Sequence, residues 1–143
     1  MTPALLDVNA LLALAWPNHQ HHQAAHAWFH AESRHGWTTC ALTQVAFVRL
    51  SSNPAYTPEA VPPRDGAALL ARFTAHKHHR FWRELPALAT TMLLRASGHQ
   101  QVMDAYLVAL ARHHKGRVVT LDGRLAAHAT NTGDVTVITM SGP

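Results

Sequence analysis

The chain has 143 residues, with 12 lysines and arginines against 8 aspartates and glutamates, 13 histidines and a formal net charge of +4. Apolar residues at 48% and charged residues at 14% exclude a disordered polymer and leave one domain able to bury a sizeable core. A single Cys40 excludes an internal disulfide framework and any CxxC metal or redox site, so a reducing, cytoplasmic setting is expected. The longest apolar stretch, 4–16, is interrupted by Asp7 and Asn9 and is too short to cross a bilayer. It has no Lys or Arg ahead of it, so neither a signal peptide nor a membrane anchor is expected.

In chain order, residues 4–7 read as a buried strand ending at an acid, and 8–15 as a short helix stopped before Pro17. Asn18 is placed to cap a helix over 19–34, which Gly36 breaks. WTTCA (37–41) is β-prone, and Thr43 is placed to cap a helix reaching Ser51. Asn53–Pro54, Pro58, Pro62 and Pro63 mark a surface loop. A helical pattern covers 65–76, a weak strand 78–82, and a helix opened by Pro86 runs to 96. Residues 99–114 form a strong helix ended at Lys115–Gly116; RVVTL (117–121) is the clearest strand and VTVIT (135–139) the last. Short apolar strands alternating with helices predict one α/β domain over 1–143, with helices on both faces of a mostly parallel sheet.

Open parallel sheets bind ligands beyond the carboxyl ends of their strands. Asp7 and Asp122 each follow such an end. Asp104 and Gln44 start helices on the same edge, since a helix feeding a parallel strand runs antiparallel to it. Asp7 has Leu5, Leu6 and Val8 beside it, and Asp104 shares a helical face with Leu107, Val108 and Ala111. Clustered carboxylates repel unless a cation lies between them, and hard oxygen donors suit Mg²⁺ or Mn²⁺. Such ions serve phosphodiester hydrolysis. Each acid also has a plainer reading. Asp7 caps the following helix, Asp122 caps a turn at Gly123, and Asp104 pairs with Arg112 or Lys115. Receiver and haloacid-type phosphatase sites fit poorly, because Asp7-Val8-Asn9 is neither an acid pair nor Asp-x-Asp.

LLDVNALLAL (5–14), LTQVAFVRLSSNP (42–54), GHQQVMDAYLVALA (98–111) and VVTLDGRL (118–125) resemble, in order, the motifs of PIN-domain ribonucleases, and more narrowly those of VapC toxins of type II toxin–antitoxin modules. The resemblance implies a three-layer α/β/α fold, Mg²⁺-dependent endoribonuclease activity, and inhibition by a VapB-type antitoxin bound to a homodimer. Carried over by motif, Asp7 and Asp104 would be the principal metal ligands and Asp122 would complete the acidic set. Asn9 would orient water or ligand, and Thr120 would support the last acid, standing with Arg49 among the substrate-binding residues. Most of the family has Glu where this chain has Gln44. An amide oxygen can still coordinate weakly or hold a bound water, but the lost charge weakens a second metal site.

Histidines 22, 26 and 30 share a helical face and raise a zinc reading, although no HExxH accompanies them. Arg49, Arg72, Lys77, Arg80, Arg83, Arg112, Lys115 and Arg117 supply a basic exterior that gathers phosphates, with Arg49 the leading phosphate contact. The aromatics read as packing residues, and the segment 16–35 as one wall of a groove for an antitoxin helix. The competing function is a catalytically weakened nucleic-acid or partner-binding module, favoured by Gln44.

Overall fold

The computed structural model describes residues 2–139; Met1 and 140–143, the ends of the expected single domain, lie outside them. Five strands form one all-parallel sheet in the order β3-β2-β1-β4-β5. They are β1 (Ala4–Leu6), β2 (Trp37–Cys40), β3 (His79–Trp82), β4 (Arg117–Thr120) and β5 (Val135–Val137). The helices are α1 (Val8–Ala15), α2 (His22–Glu32), α3 (Ala41–Ser51), α4 (Pro63–Thr74) and α5 (Val102–His113). The sheet separates two apolar layers. Leu6, Trp37 and Val119 pack beneath α1 and Phe47 of α3, whereas Leu5, Cys40 and Val118 pack against Leu107, Val108 and Leu110 of α5. Period-two alternation along each strand feeds both layers, which is why β1, β2 and β4 are buried along their whole lengths.

Strand order reverses at β1. The chain builds outward through β2 and β3 on one side, then returns to lay β4 and β5 on the other. The crevice between the carboxyl ends of β1 and β4 is therefore the topological switch point.

Several boundaries differ from expectation. Helix α2 starts at His22, with His21 as an N-cap that makes no side-chain capping bond, so Asn18 does not cap it. Thr43 sits inside α3 and closes its start from there, its Oγ1 accepting from the Cys40 amide at 3.1 Å. The helix expected over 86–96 is absent. Only a 3₁₀ turn forms at Thr90–Leu93, since Leu88 and Leu94 are exposed and no apolar face is buried to hold a longer helix. A 3₁₀ turn at His99–Gln101 likewise precedes α5. The α5–β4 turn uses Lys115 at φ 60° and Gly116, where a Cβ would meet the Pro3 carbonyl and the Trp82 ring at 2.7 Å.

Candidate active site

Asp7 follows β1 directly and caps α1. Its Oδ1 accepts from the Val8 amide at 2.8 Å, and its Oδ2 accepts from the Thr120 hydroxyl at 2.8 Å. The plain capping role is thus real, but it uses one carboxylate oxygen only. Asp7 is 6% exposed, and burial raises its pKa above the ordinary value; Asp104 and Asp122 push in the same direction, against the two hydrogen bonds. No cation pairs with it among the described residues.

Thr120, at the carboxyl end of β4, is fully buried and organises the crevice. Its oxygen accepts from the Asp122 amide at 3.0 Å while its one proton goes to Asp7. The 3.3 Å approach to Asn9 Oδ1 is longer, and that oxygen takes the Leu121 amide at 3.1 Å instead. Thr120, expected beside Arg49 among the substrate-binding residues, is thus buried behind Asp7 and ties it to the Asp122 amide. Asn9 ties α1 to the β4 edge.

Asp104 lies half-buried at the start of α5. Arg112, one of its expected partners, pairs with Asp134 instead at 3.5 Å. Asp104 makes no salt bridge among the described residues, and burial together with the Asp122 charge raises its pKa. It opens onto a cavity of about 450 Å³ lined also by Arg95, Gln101, Arg124 and His128.

Asp122 is different. It caps the turn at Gly123, accepting from the Arg124 amide at 3.0 Å, and forms a two-pronged pair with the Arg124 guanidinium at 3.0 and 2.9 Å. That guanidinium holds its carboxyl below the ordinary range. The turn-capping reading of Asp122 is therefore realised, and its oxygens are shared with a cation already present.

Gln44 stands in the first turn of α3, its Nε2 donating to Thr39 Oγ1 at 3.0 Å. Arg49 is exposed one turn further along, beside Val45, Val48 and Pro63. Arg117, expected on the basic exterior, is buried. Its guanidinium reaches Thr136 Oγ1 at 3.0 Å and the Thr2 carbonyl, bracing β4 against β5 and the amino-terminal segment.

Among the described residues, no three His, Cys, Asp or Glu side chains gather as a metal site. His22, of the zinc reading, has Nδ1 2.8 Å from the Ala13 carbonyl, which ties α2 to α1. Asp7, Asp104 and Asp122, as they stand with Asp122 turned onto Arg124, form an open set. Their donor chemistry nonetheless fits a hard divalent cation, since burial and neighbouring carboxylates raise the pKa of both Asp7 and Asp104, with His128 and Arg124 offsetting this only in part at Asp104.

Arg95, Arg124 and His128 were not anticipated as parts of this crevice. The acid–base pair two residues apart in LDGRL signalled Arg124. Arg95 carried no signal, because its segment was assigned to a helix. It is positioned by non-helical chain, its Nη1 donating to the Ala129 carbonyl at 2.6 Å.

The PIN domain family model matches residues 4–131. Among curated proteins, the chain is 42% identical over 130 residues to the ribonuclease VapC39 of Mycobacterium tuberculosis, covering 89% of this chain and 94% of that one. It is 44% identical over 119 residues to the ribonuclease VapC38 of the same organism, covering 83% and 84%. The crystal structure of Mycobacterium tuberculosis VapC20, a toxin described as cleaving the sarcin–ricin loop, superposes with a TM-score of 0.61. That match spans 87% of this chain and 93% of the other at 13% identity, so it speaks for the fold.

Proposed function

From the chain's membership of the PIN domain family and the acids at its switch point, we propose that it is a toxic endoribonuclease of a type II toxin–antitoxin module. The observation that carries this reading is the buried Asp7 at the carboxyl end of the central strand, held by Thr120 and repelled by Asp104 and Asp122. A fold that keeps one buried carboxylate beside two further acids, with no cation paired to it among the described residues, gives up stability for it, which is the usual mark of a site built for function.

Mg²⁺ or Mn²⁺ would be held by Asp7 and Asp104, with Asp122 joining once released from Arg124. The chemistry such an ion supplies when bound is acidification of water and neutralisation of phosphate charge. The chain's own residues do the rest. Thr120 and the Val8 amide fix the Asp7 oxygens, so this ligand does not reorganise as charge develops. Asp104 makes no salt bridge among the described residues. Arg124 is almost wholly exposed and can exchange Asp122 for a phosphate oxygen, which frees a carboxylate as RNA arrives. Arg95 and His128 flank the same cavity, and exposed Arg49 extends the phosphate path along α3.

The partner is a VapB-type antitoxin. A cleft of about 510 Å³ between α1 and the 56–58 loop, lined by Leu12, Trp16, His19 and Tyr56, fits an amphipathic segment from it. The active species is a homodimer, consistent with the exposed Leu94, Val102 and Met103 on the α5 side. Light scattering of the purified chain and co-purification with a VapB-type antitoxin test the two claims. No described helix is long and apolar enough to cross a membrane.

The test of function is cleavage of structured RNAs with Mg²⁺ or Mn²⁺, lost in Asp7→Asn and Asp104→Asn. The second reading, a weakened nucleic-acid-binding module, is favoured by the uncharged Gln44 and the Asp122–Arg124 pair. It is the result if wild type binds RNA yet leaves it intact.

A further inference from the structure

Parallel pairing sets Trp37 of β2 against His79 and Thr39 against Phe81. The His79 ring thereby lies beside the fully buried Thr39, with Nε2 2.8 Å from Thr39 Oγ1. The same oxygen takes Nε2 of Gln44, from the first turn of α3, at 3.0 Å. Thr39 is thus the single link between a titratable ring on β3 and a neutral amide on the sheet edge that carries Asp7. We infer that His79, acting through the Thr39 hydroxyl, sets which end of the Gln44 amide is left free.

The hydroxyl has one proton, and two arrangements pair that proton within the triad. In one, Thr39 donates to an unprotonated His79 Nε2 and accepts from the Gln44 NH₂, leaving Gln44 Oε1 free. In the other, His79 Nε2 carries a proton and donates to Thr39, whose own proton goes to Gln44 Oε1, leaving the NH₂ free. Gln44 turns its NH₂ to Thr39, which leaves the hydroxyl proton for an unprotonated His79 Nε2 and matches the first arrangement. Protonating His79 favours the second, in which the amide is turned over.

The groups acting on His79 can be named. Burial disfavours its charge first, and Arg80 on its own strand and His76 in the turn before it act in the same direction. Strand β2 meets it with Thr39 and with the Trp37 ring, 4.7 Å away between centroids, and α3 reaches it through Gln44. None of these is a carboxylate. His79 is therefore a positioning residue: neutral, it presents an oxygen acceptor towards a water or cation; charged, it presents a donor. The consequence for catalysis rests on the ribonuclease reading above, whereas the geometry does not.

The test is NMR of the full chain with the Gln44 side-chain amide observed directly, assigned by its loss in Gln44→Leu, across about pH 5 to 8. The expected result is that the Gln44 amide shifts with the same midpoint as the His79 ring. Thr39→Ser keeps this coupling, and Thr39→Val abolishes it while His79 still titrates. If the valine variant fails to fold, His79→Gln replaces it, and there the Gln44 shift becomes independent of pH. A Gln44 amide that stays still while His79 titrates overturns the inference. So does one that titrates unchanged in Thr39→Val or His79→Gln. RNA cleavage, measured separately, decides the ribonuclease reading alone.

Discussion

The hydroxyl of Thr120 donates to Oδ2 of Asp7 at 2.8 Å, joining the carboxyl ends of β4 and β1 across 113 residues of chain. Both partners are buried, and the hydroxyl oxygen accepts the Asp122 amide as well. Thr120→Val keeps shape but leaves a buried carboxylate oxygen and an amide without partners, at a cost of about 1–3 kcal/mol. Denaturant unfolding is expected to show that loss. RNA cleavage is expected to fall about 10–100-fold, the range for residues that orient metal ligands, and Thr120→Ser to restore most of it.

Asp7→Asn acts on both stability and activity. Burial raises the Asp7 pKa in the folded state above its ordinary 3.8. The unfolded chain therefore ionises first, and the stability present below 3.8 is lost as pH rises through the higher folded value. Asparagine removes this charge while facing either the Val8 amide or the Thr120 hydroxyl with a donor. Without divalent ions, the variant's melting temperature relative to wild type should therefore rise from acid to neutral pH. Its cleavage rate should drop by about 100-fold or more.

How legible this site was depended on how local its parts are. An apolar run ending in Asp7 and a β-branched run ending near Asp122 show in the sequence, because strand burial and sheet-edge placement follow from patterns a few residues long. The Gln44–Thr39–His79 chain did not show, since it requires the register of β2 on β3. The 86–96 segment misled because Pro86 and small residues look helical when nothing states that no face will be buried. Asp122 illustrates a third case. Its cap on the turn at Gly123 follows from the sequence, whereas its pairing with Arg124 comes from the structure, and whether Asp122 keeps that partner depends on what else enters the crevice.

Arg124→Ala separates these possibilities. Freed from its guanidinium, Asp122 should have a carboxyl pKa nearer the ordinary value, visible by NMR as titration at higher pH than in wild type. Divalent binding without RNA should tighten. RNA affinity should weaken, and its salt dependence should lose about 0.7 in slope, one phosphate contact on a single strand.

Divalent ions should stabilise the chain by binding the folded state alone. At about 100 times the dissociation constant, Mn²⁺ is expected to add about 2.7 kcal/mol, with calorimetry reporting one ion per chain in the absence of nucleic acid. With Gln44 neutral, a second site has too little charge to fill. Asp104→Asn should remove most of this stabilisation, whereas His22→Ala should leave it intact, because His22 is held on the Ala13 carbonyl.

The most direct measurement is RNA-end mapping after controlled expression of wild type, Asp7→Asn and Asp104→Asn in a host lacking the antitoxin. Discrete new ends are expected with wild type and neither variant, reproduced by purified protein only when Mg²⁺ or Mn²⁺ is supplied. Ends that persist in both variants, or a folded wild type that binds RNA and produces none, would contradict a nuclease centred on Asp7 and Asp104.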